Sequence, residues 1–415
     1  MKVLVMEFLF SSGTRCLYLA EGLRARGYTI YQIINVLVYE RPRGPFFKLV
    51  EVGERKFVAE VPNPRTFLPW RGLFTRALIQ LLNTLFFFIA ILRNLRDLRE
   101  VDVILCGIMH PFVDVPAFFL RKLTGALLVL DVCDPLVEAL DLVRSNRLLI
   151  SFFKRIGAVL LRWAYSSADG IIAHTRSMGD VARRYTDKPV FVIYNPVDTS
   201  TFRPMGRGEV VKELEGHLPL RELEGRFVVL YSGMMGPCQD VGRVVEAAKE
   251  LGDDVVFLLI GFGEEKEELV RRAEELGLKN VMFPPRQPWT RMPYIINLAD
   301  ACILPLRGDP LFHLALPRKF FEYIACGKPV ICFCPRGEAT RLVEEWGAGL
   351  VVEPDDVRGF AEAVRWLSEN PDAVEEMGRR ARLMAEELFS MEKMSERLHE
   401  VLIELRSSRG ATSPS

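Results

Sequence analysis

In the run Leu316-Pro317-Arg318-Lys319-Phe320-Phe321-Glu322-Tyr323-Ile324-Ala325-Cys326-Gly327-Lys328-Pro329-Val330-Ile331, two cations and a carboxylate share one short amphipathic segment. The segment ends in a Gly-Lys-Pro turn and an apolar strand, and its pattern predicts a helix over 317–325. A helix N-terminus offers unpaired N–H groups and a partial positive charge to anions. Arg318 and Lys319 add formal charge there, and Glu322 follows at the spacing that shares their helix face. Such a carboxylate accepts hydrogen bonds from a ribose diol while the turn at Pro317 holds a diphosphate. The pattern suits a nucleotide-sugar, with Arg318 and Lys319 as the catalytic cations.

Other candidates follow apolar runs. Tyr231-Ser232-Gly233-Met234-Met235-Gly236 leads from a strand into a helix, and Gly233 and Gly236 let backbone, including the Met234 N–H, approach a phosphate. An ordinary strand-to-helix turn is the alternative. Gly261 ends another strand as Ile260-Gly261-Phe262-Gly263, and Arg286 and Gln287 follow a third within a Pro-rich turn. Glu338 follows the strand after the 317–325 helix, where a first-turn carboxylate is favoured in any case. Toward the N-terminus, Gly13 lies in the loop after the first strand, with Arg15 beside it. Asp131 and Asp134 stand three apart at a strand end, where a loop cap is the alternative, and His110 ends another strand.

Two series of strand-like and helix-like segments must position these residues. Lys2–Phe10, Val101–Cys106, Ala126–Val132, Gly170–Ala173 and Val190–Tyr194 read as strands of a first domain; Cys16–Arg26 reads as its first helix. Asn195-Pro196-Val197-Asp198 breaks the pattern, and a linker falls at about 198–224. The first domain is counted as 1–205, the linker region as 206–224 and the second domain as 225–389. Strands over Phe227–Ser232, Asp254–Ile260, Val281–Phe283, Ala301–Pro305, Pro329–Phe333 and Gly349–Val352 alternate with helices near 239–250, 264–276, 317–325 and 356–368. Such alternation implies parallel βαβ units. The fold class is α/β: two doubly wound Rossmann-like domains facing a cleft, with ligands at the carboxyl ends of their strands. Helices fill 371–406, and 407–415 reads as a disordered tail.

The 316–331 segment resembles the donor-site signature of glycosyltransferase family 4, retaining transferases of the GT-B fold. The likeness runs along nearly the whole chain, most strongly from Phe227 to Phe389, and its P-R-K-F-F-E-Y-I-A-C-G-K-P-V form is closest to the subgroup building surface polysaccharides. Many members carry a second glutamate eight residues before Glu322, and here that position is Leu314. Many also grip the diphosphate with a lysine near Gln239, a task the resemblance moves to Arg318 and Lys319. It further implies that Gly13 underlies the donor phosphates, that backbone near Gln287 reads the base, and that Asp131, Asp134 or His110 contacts the acceptor or transferred sugar. The last helix, about 390–406, is expected to cross back to the first domain. A retained hexosyl or N-acetylhexosaminyl transfer follows, from a UDP-sugar ahead of a GDP-sugar, with no cofactor and no metal.

Composition sets wider bounds. A chain of 415 residues calls for two domains. Zero net charge argues against nucleic acid as a partner. The eight cysteines form no C-x-x-C pair, and buried free thiols are the better reading. There is no P-loop, no nucleophile elbow and no D-x-D. The stretch 73–92 is nearly all apolar with arginines on both sides, and 144–163 is a basic amphipathic helix. The first is expected to face a membrane or a polyprenyl-linked acceptor. The second is expected mainly to pack its apolar face inward, with a membrane role second. The expected location is cytoplasmic, at the inner face of the membrane. Two other functions fit the pattern: a nucleotide-sugar epimerase using Asp131 and Asp134, and a non-catalytic nucleotide-sugar binder.

Overall fold

The computed structural model describes residues 1–7, 15–36, 46–64, 73–108, 114–142 and 147–411. The candidates Gly13 and His110 lie outside the described residues. The chain forms two compact units, one of Met1–Pro196 with Met391–Ser415, the other of Val197–Ser390.

In the first unit the strands are β1 (Lys2–Glu7), β2 (Thr29–Val36), β3 (Leu49–Gly53), β4 (Lys56–Pro62), β5 (Val103–Ile108), β6 (Leu127–Val132), β7 (Gly170–Ala173) and β8 (Val190–Val192). They form one sheet in the order β3-β4-β2-β1-β5-β6-β7-β8. Every neighbouring pair is parallel except β3–β4. All of β6 is buried, as expected of a parallel strand covered on both faces. Alternate side chains, among them Val3, Val5, Val103, Leu105 and Val129, face Leu19 and Leu23 of the Arg15–Ala25 helix. Met394, Leu398, Val401, Leu402 and Leu405 complete that core from the helix Met391–Ala411. The last helix is therefore an element of the first unit. It also runs to Ala411, into the segment read as a tail. A Cβ at Gly22 would stand 2.2 Å from Ser395 Cβ, so this pair of helices meets almost backbone to backbone.

The helix Leu73–Arg93 buries Ile79, Asn83, Phe87, Ala90 and Ile91, so much of its apolar character serves the unit's own core. It packs on β4 and on the helix Asp114–Thr124. Among the described residues, no helix is long and apolar enough to cross a membrane.

The second unit holds β9 (Phe227–Met234), β10 (Val255–Phe262), β11 (Val281–Met282), β12 (Ala301–Pro305), β13 (Val330–Phe333) and β14 (Gly349–Val352). Their order is β11-β10-β9-β12-β13-β14, all parallel. The region read as a linker is part of this unit. Residues 206–224 form the helices Arg207–Leu214 and Leu220–Leu223, with Val210, Leu214 and Leu223 buried. The chain crosses between units at Pro196 instead, where the apolar spacing of the following segment has not yet begun. Val197 N donates to Phe389 O at 2.8 Å and Val197 bridges Ser390, so the two ends of this unit lie side by side.

Candidate functional site

The second unit carries its candidates in the segments that follow β9, β10, β11, β12 and β13. β9 and β10 stay in register through Gly233↔Gly261 and Met234↔Phe262. A Cβ at Gly261 would meet Gly233 O at 1.8 Å, so glycine is required for that approach. Gly233 has φ of +138°, a backbone state that L side chains avoid, and its Cβ position lies 2.6 Å from Lys319 Nζ. Met234 is exposed beyond it and Gly236 is buried.

The helix Arg318–Ala325 aims its N-terminus here, with Pro317 as the capping residue. Its buried Phe320, Phe321, Tyr323 and Ile324 face the core. Tyr323 Oη accepts from Ser232 N at 2.8 Å, tying the helix to the end of β9. Lys319 Nζ stands 3.8 Å from the centroid of the Tyr231 ring. Burial pushes this ammonium down to about 7, with Glu322 opposing. Arg318 Nε donates to Glu322 Oε1 at 2.9 Å, and its guanidinium lies 5.4 Å from the centroid of the Trp289 ring. Trp289 Nε1 donates to the same Oε1 at 3.3 Å. Burial raises the Glu322 carboxyl, while Arg318, Trp289 and Lys319 lower it.

At the β10 edge Arg286 lies over the exposed Phe262 ring at 4.4 Å, and Lys266 Nζ joins Gly261 O to Pro284 O at 3.1 Å each. Gln287 bonds within its own turn, to Pro285 O. Glu338 opens the helix after β13, is buried, and accepts from Arg341 Nη2 at 2.5 Å. Leu314 is buried. The sequence reading passed over Trp289 and Lys266. A tryptophan in a loop after a strand end, as in Pro288-Trp289-Thr290, was the available signal.

This arrangement presents two cations, a helix N-terminus and a buried carboxylate around a glycine-lined strand end. Two family models match the chain, "Glycosyltransferase Family 4" over residues 12–201 and "Glycosyl transferases group 1" over residues 218–384. The chain belongs to glycosyltransferase family 4. Its fold is GT-B. The D-rhamnosyltransferase WbpZ of Pseudomonas aeruginosa is 28% identical over 311 residues, covering 73% of this chain and 74% of its own. A putative colanic acid biosynthesis glycosyl transferase, WcaI of Escherichia coli, is also 28% identical, over 59% of this chain and 61% of its own. A sucrose-phosphate synthase from Thermosynechococcus elongatus superposes with a TM-score of 0.76 at 18% identity, covering 98% of this chain and 99% of that one.

The transferase's other candidates lie in the first unit. Asp131, read as an acceptor contact, is only 1% exposed. It accepts from Arg15 Nε at 3.0 Å on both oxygens and from Cys16 Sγ at 3.2 Å. Arg15 continues to Asn195 Oδ1 and Ile193 O, tying the first helix to β6 and the chain after β8. A carboxylate enclosed in this way is a positioning group, and the expectation of a contact with acceptor or sugar is corrected. Asp134 is exposed two residues past β6. With Asp131 committed to Arg15, the paired carboxylates of an epimerase are not on offer. All eight cysteines are free thiols. Among the described residues, no group of three or more His, Cys, Asp or Glu converges to hold a metal.

Proposed function

We propose that the transferase moves a hexosyl or N-acetylhexosaminyl group from a nucleotide diphosphate sugar, UDP-linked ahead of GDP-linked, to a lipid-linked acceptor, with retention and without a metal. The convergence of Arg318, Lys319 and Glu322 beside Gly233 carries this reading. The first helical turn, Arg318 and Lys319 hold the diphosphate; the Glu322 carboxylate accepts from the ribose diol. The C1–O bond to the departing phosphate breaks and the acceptor oxygen bonds C1 on the same face. The acceptor proton passes to the departing phosphate oxygen. Fixed charge at the leaving group lowers such a barrier by several kcal/mol. A polyprenyl carrier at the cytoplasmic membrane face is the acceptor that the arginine-flanked apolar helices favour.

The test is thermal-shift and calorimetric binding to UDP-, GDP-, ADP- and dTDP-sugars. One nucleotide series is expected to stabilise the wild type, with Glu322→Ala binding at least about tenfold more weakly. No binding, or binding indifferent to Glu322, would overturn the assignment.

A further inference from the structure

The helix Arg147–Ser167 turns its apolar stripe away from the protein, the reverse of the packing expected from its sequence. Its buried residues are Leu161, Ala164 and Tyr165. Leu148, Phe152, Ile156, Val159 and Trp163 are exposed, Leu148 at 81%, Val159 at 62% and Phe152 at 57%. At one turn per 3.6 residues these five fall within an arc of about 80°. Arg155 and Arg162, both exposed, lie within about 40° of its edge, and no acidic residue occurs from Ser145 to Ala168.

The surface continues onto neighbouring helices. Trp163 meets Phe118 with ring centroids 5.4 Å apart, and Phe119 meets Phe88 at 5.5 Å. Phe119 and Leu123 of one helix and Leu81, Leu85 and Leu92 of the other are exposed, with Lys122 over the Phe118 ring at 5.4 Å.

We infer that this face docks on an anionic lipid bilayer, the Arg147–Ser167 helix lying in the plane of the interface. Large aliphatic and aromatic side chains bordered by arginines suit that boundary: the rings enter the acyl layer and the guanidinium groups meet lipid phosphates. A second copy pressed on the same face would bring like-charged arginines together around a two-fold axis, which opposes dimerisation. The inference deepens the lipid-linked acceptor reading and rests on it for its purpose; the donor site plays no part in it.

The full chain is sedimented with sucrose-loaded vesicles of phosphatidylcholine, alone or with about one-third phosphatidylglycerol. Partition onto the anionic vesicles is expected to be at least about tenfold stronger and to fall with salt. Phe152→Ser with Val159→Ser removes it, and Arg155→Gln with Arg162→Gln weakens it. These exposed positions leave folding and nucleotide-sugar affinity unchanged, both measured on the same samples. Equal partition onto the two vesicle types, no partition, or full partition by the Phe152→Ser/Val159→Ser variant overturns the inference. So does a wild-type dimer which that variant converts to monomer. Intact nucleotide-sugar binding with failed partition overturns this surface alone; absent binding in the wild type overturns the donor site instead.

Discussion

Lys319 makes the donor site pH-dependent. Its ammonium lies against the Tyr231 ring and is pushed from 10.5 down to about 7 by burial, with Glu322 opposing. A diphosphate arriving beside Nζ favours the charged form, so binding draws in a proton. If only the ammonium form binds, the apparent Kd is the intrinsic value divided by the protonated fraction. With a midpoint near 7 the penalty is about 1.1-fold at pH 6, about 2-fold at pH 7 and about 11-fold at pH 8. Affinity should therefore weaken about tenfold from pH 6 to pH 8, roughly 1.4 kcal/mol. A nucleotide-sugar is the ligand of choice, because both of its phosphates are diesters and do not titrate in this range. Calorimetry in two buffers of different ionisation enthalpy reads the proton directly: about half a proton taken up per ligand at pH 7, and about 0.9 at pH 8. Lys319→Arg, permanently charged, should flatten the profile. A constant Kd from pH 6 to 8 with no proton uptake would refute the reasoning. In the empty protein the unfolded chain keeps this proton up to 10.5 while the folded chain releases it near 7. Between those values the unfolded state binds more protons, so this group's contribution to stability rises with pH.

Asp131→Ala should leave the buried Arg15 charge uncompensated and cost about 3–5 kcal/mol, lowering the first unit's melting temperature by on the order of 10 °C without changing nucleotide affinity. An unchanged melting temperature with collapsed transfer activity would return Asp131 to the acceptor site. Gly233→Ala should place a methyl group against Lys319 Nζ at a backbone angle that alanine resists, weakening nucleotide-sugar binding about tenfold or more by calorimetry. A Kd within about twofold of wild type would show that the strand end can yield.

The second unit was the more legible half. Ala301–Pro305 and Gly349–Val352 are the strands read from sequence, and Phe227–Ser232 is extended by two residues in β9. Short buried runs punctuated by glycine and proline announce parallel strands, and Arg318, Lys319 and Glu322 announce themselves because they share one helix. Trp289 joins that cluster from 33 positions away, and Arg15 meets Asp131 across 116; no local spacing encodes either. Strands β2 to β4 went unread. At that edge of the sheet β3 is largely exposed, so it lacks the apolar run that marks a buried strand. The Arg147–Ser167 helix shows a different limit. Periodicity locates an apolar stripe but not which way it faces, and here Ala164 with Gly157, whose Cβ position is 3.0 Å from Val137, turns the small side inward.

The side-by-side crossing at Val197 and Ser390 bears on how the chain is made. The second unit is an insertion within the first, and it can fold as soon as its last residue leaves the ribosome. The first unit cannot. At about 5–20 residues per second it waits roughly 10–40 s, through all of Val197–Ser390, for the helix carrying Leu398, Val401 and Leu402. Throughout that interval Leu19, Leu23 and Val129 border an unfinished core. The half of the protein that is synthesised first is completed last, and the nascent chain exposes its aggregation-prone surface during that wait.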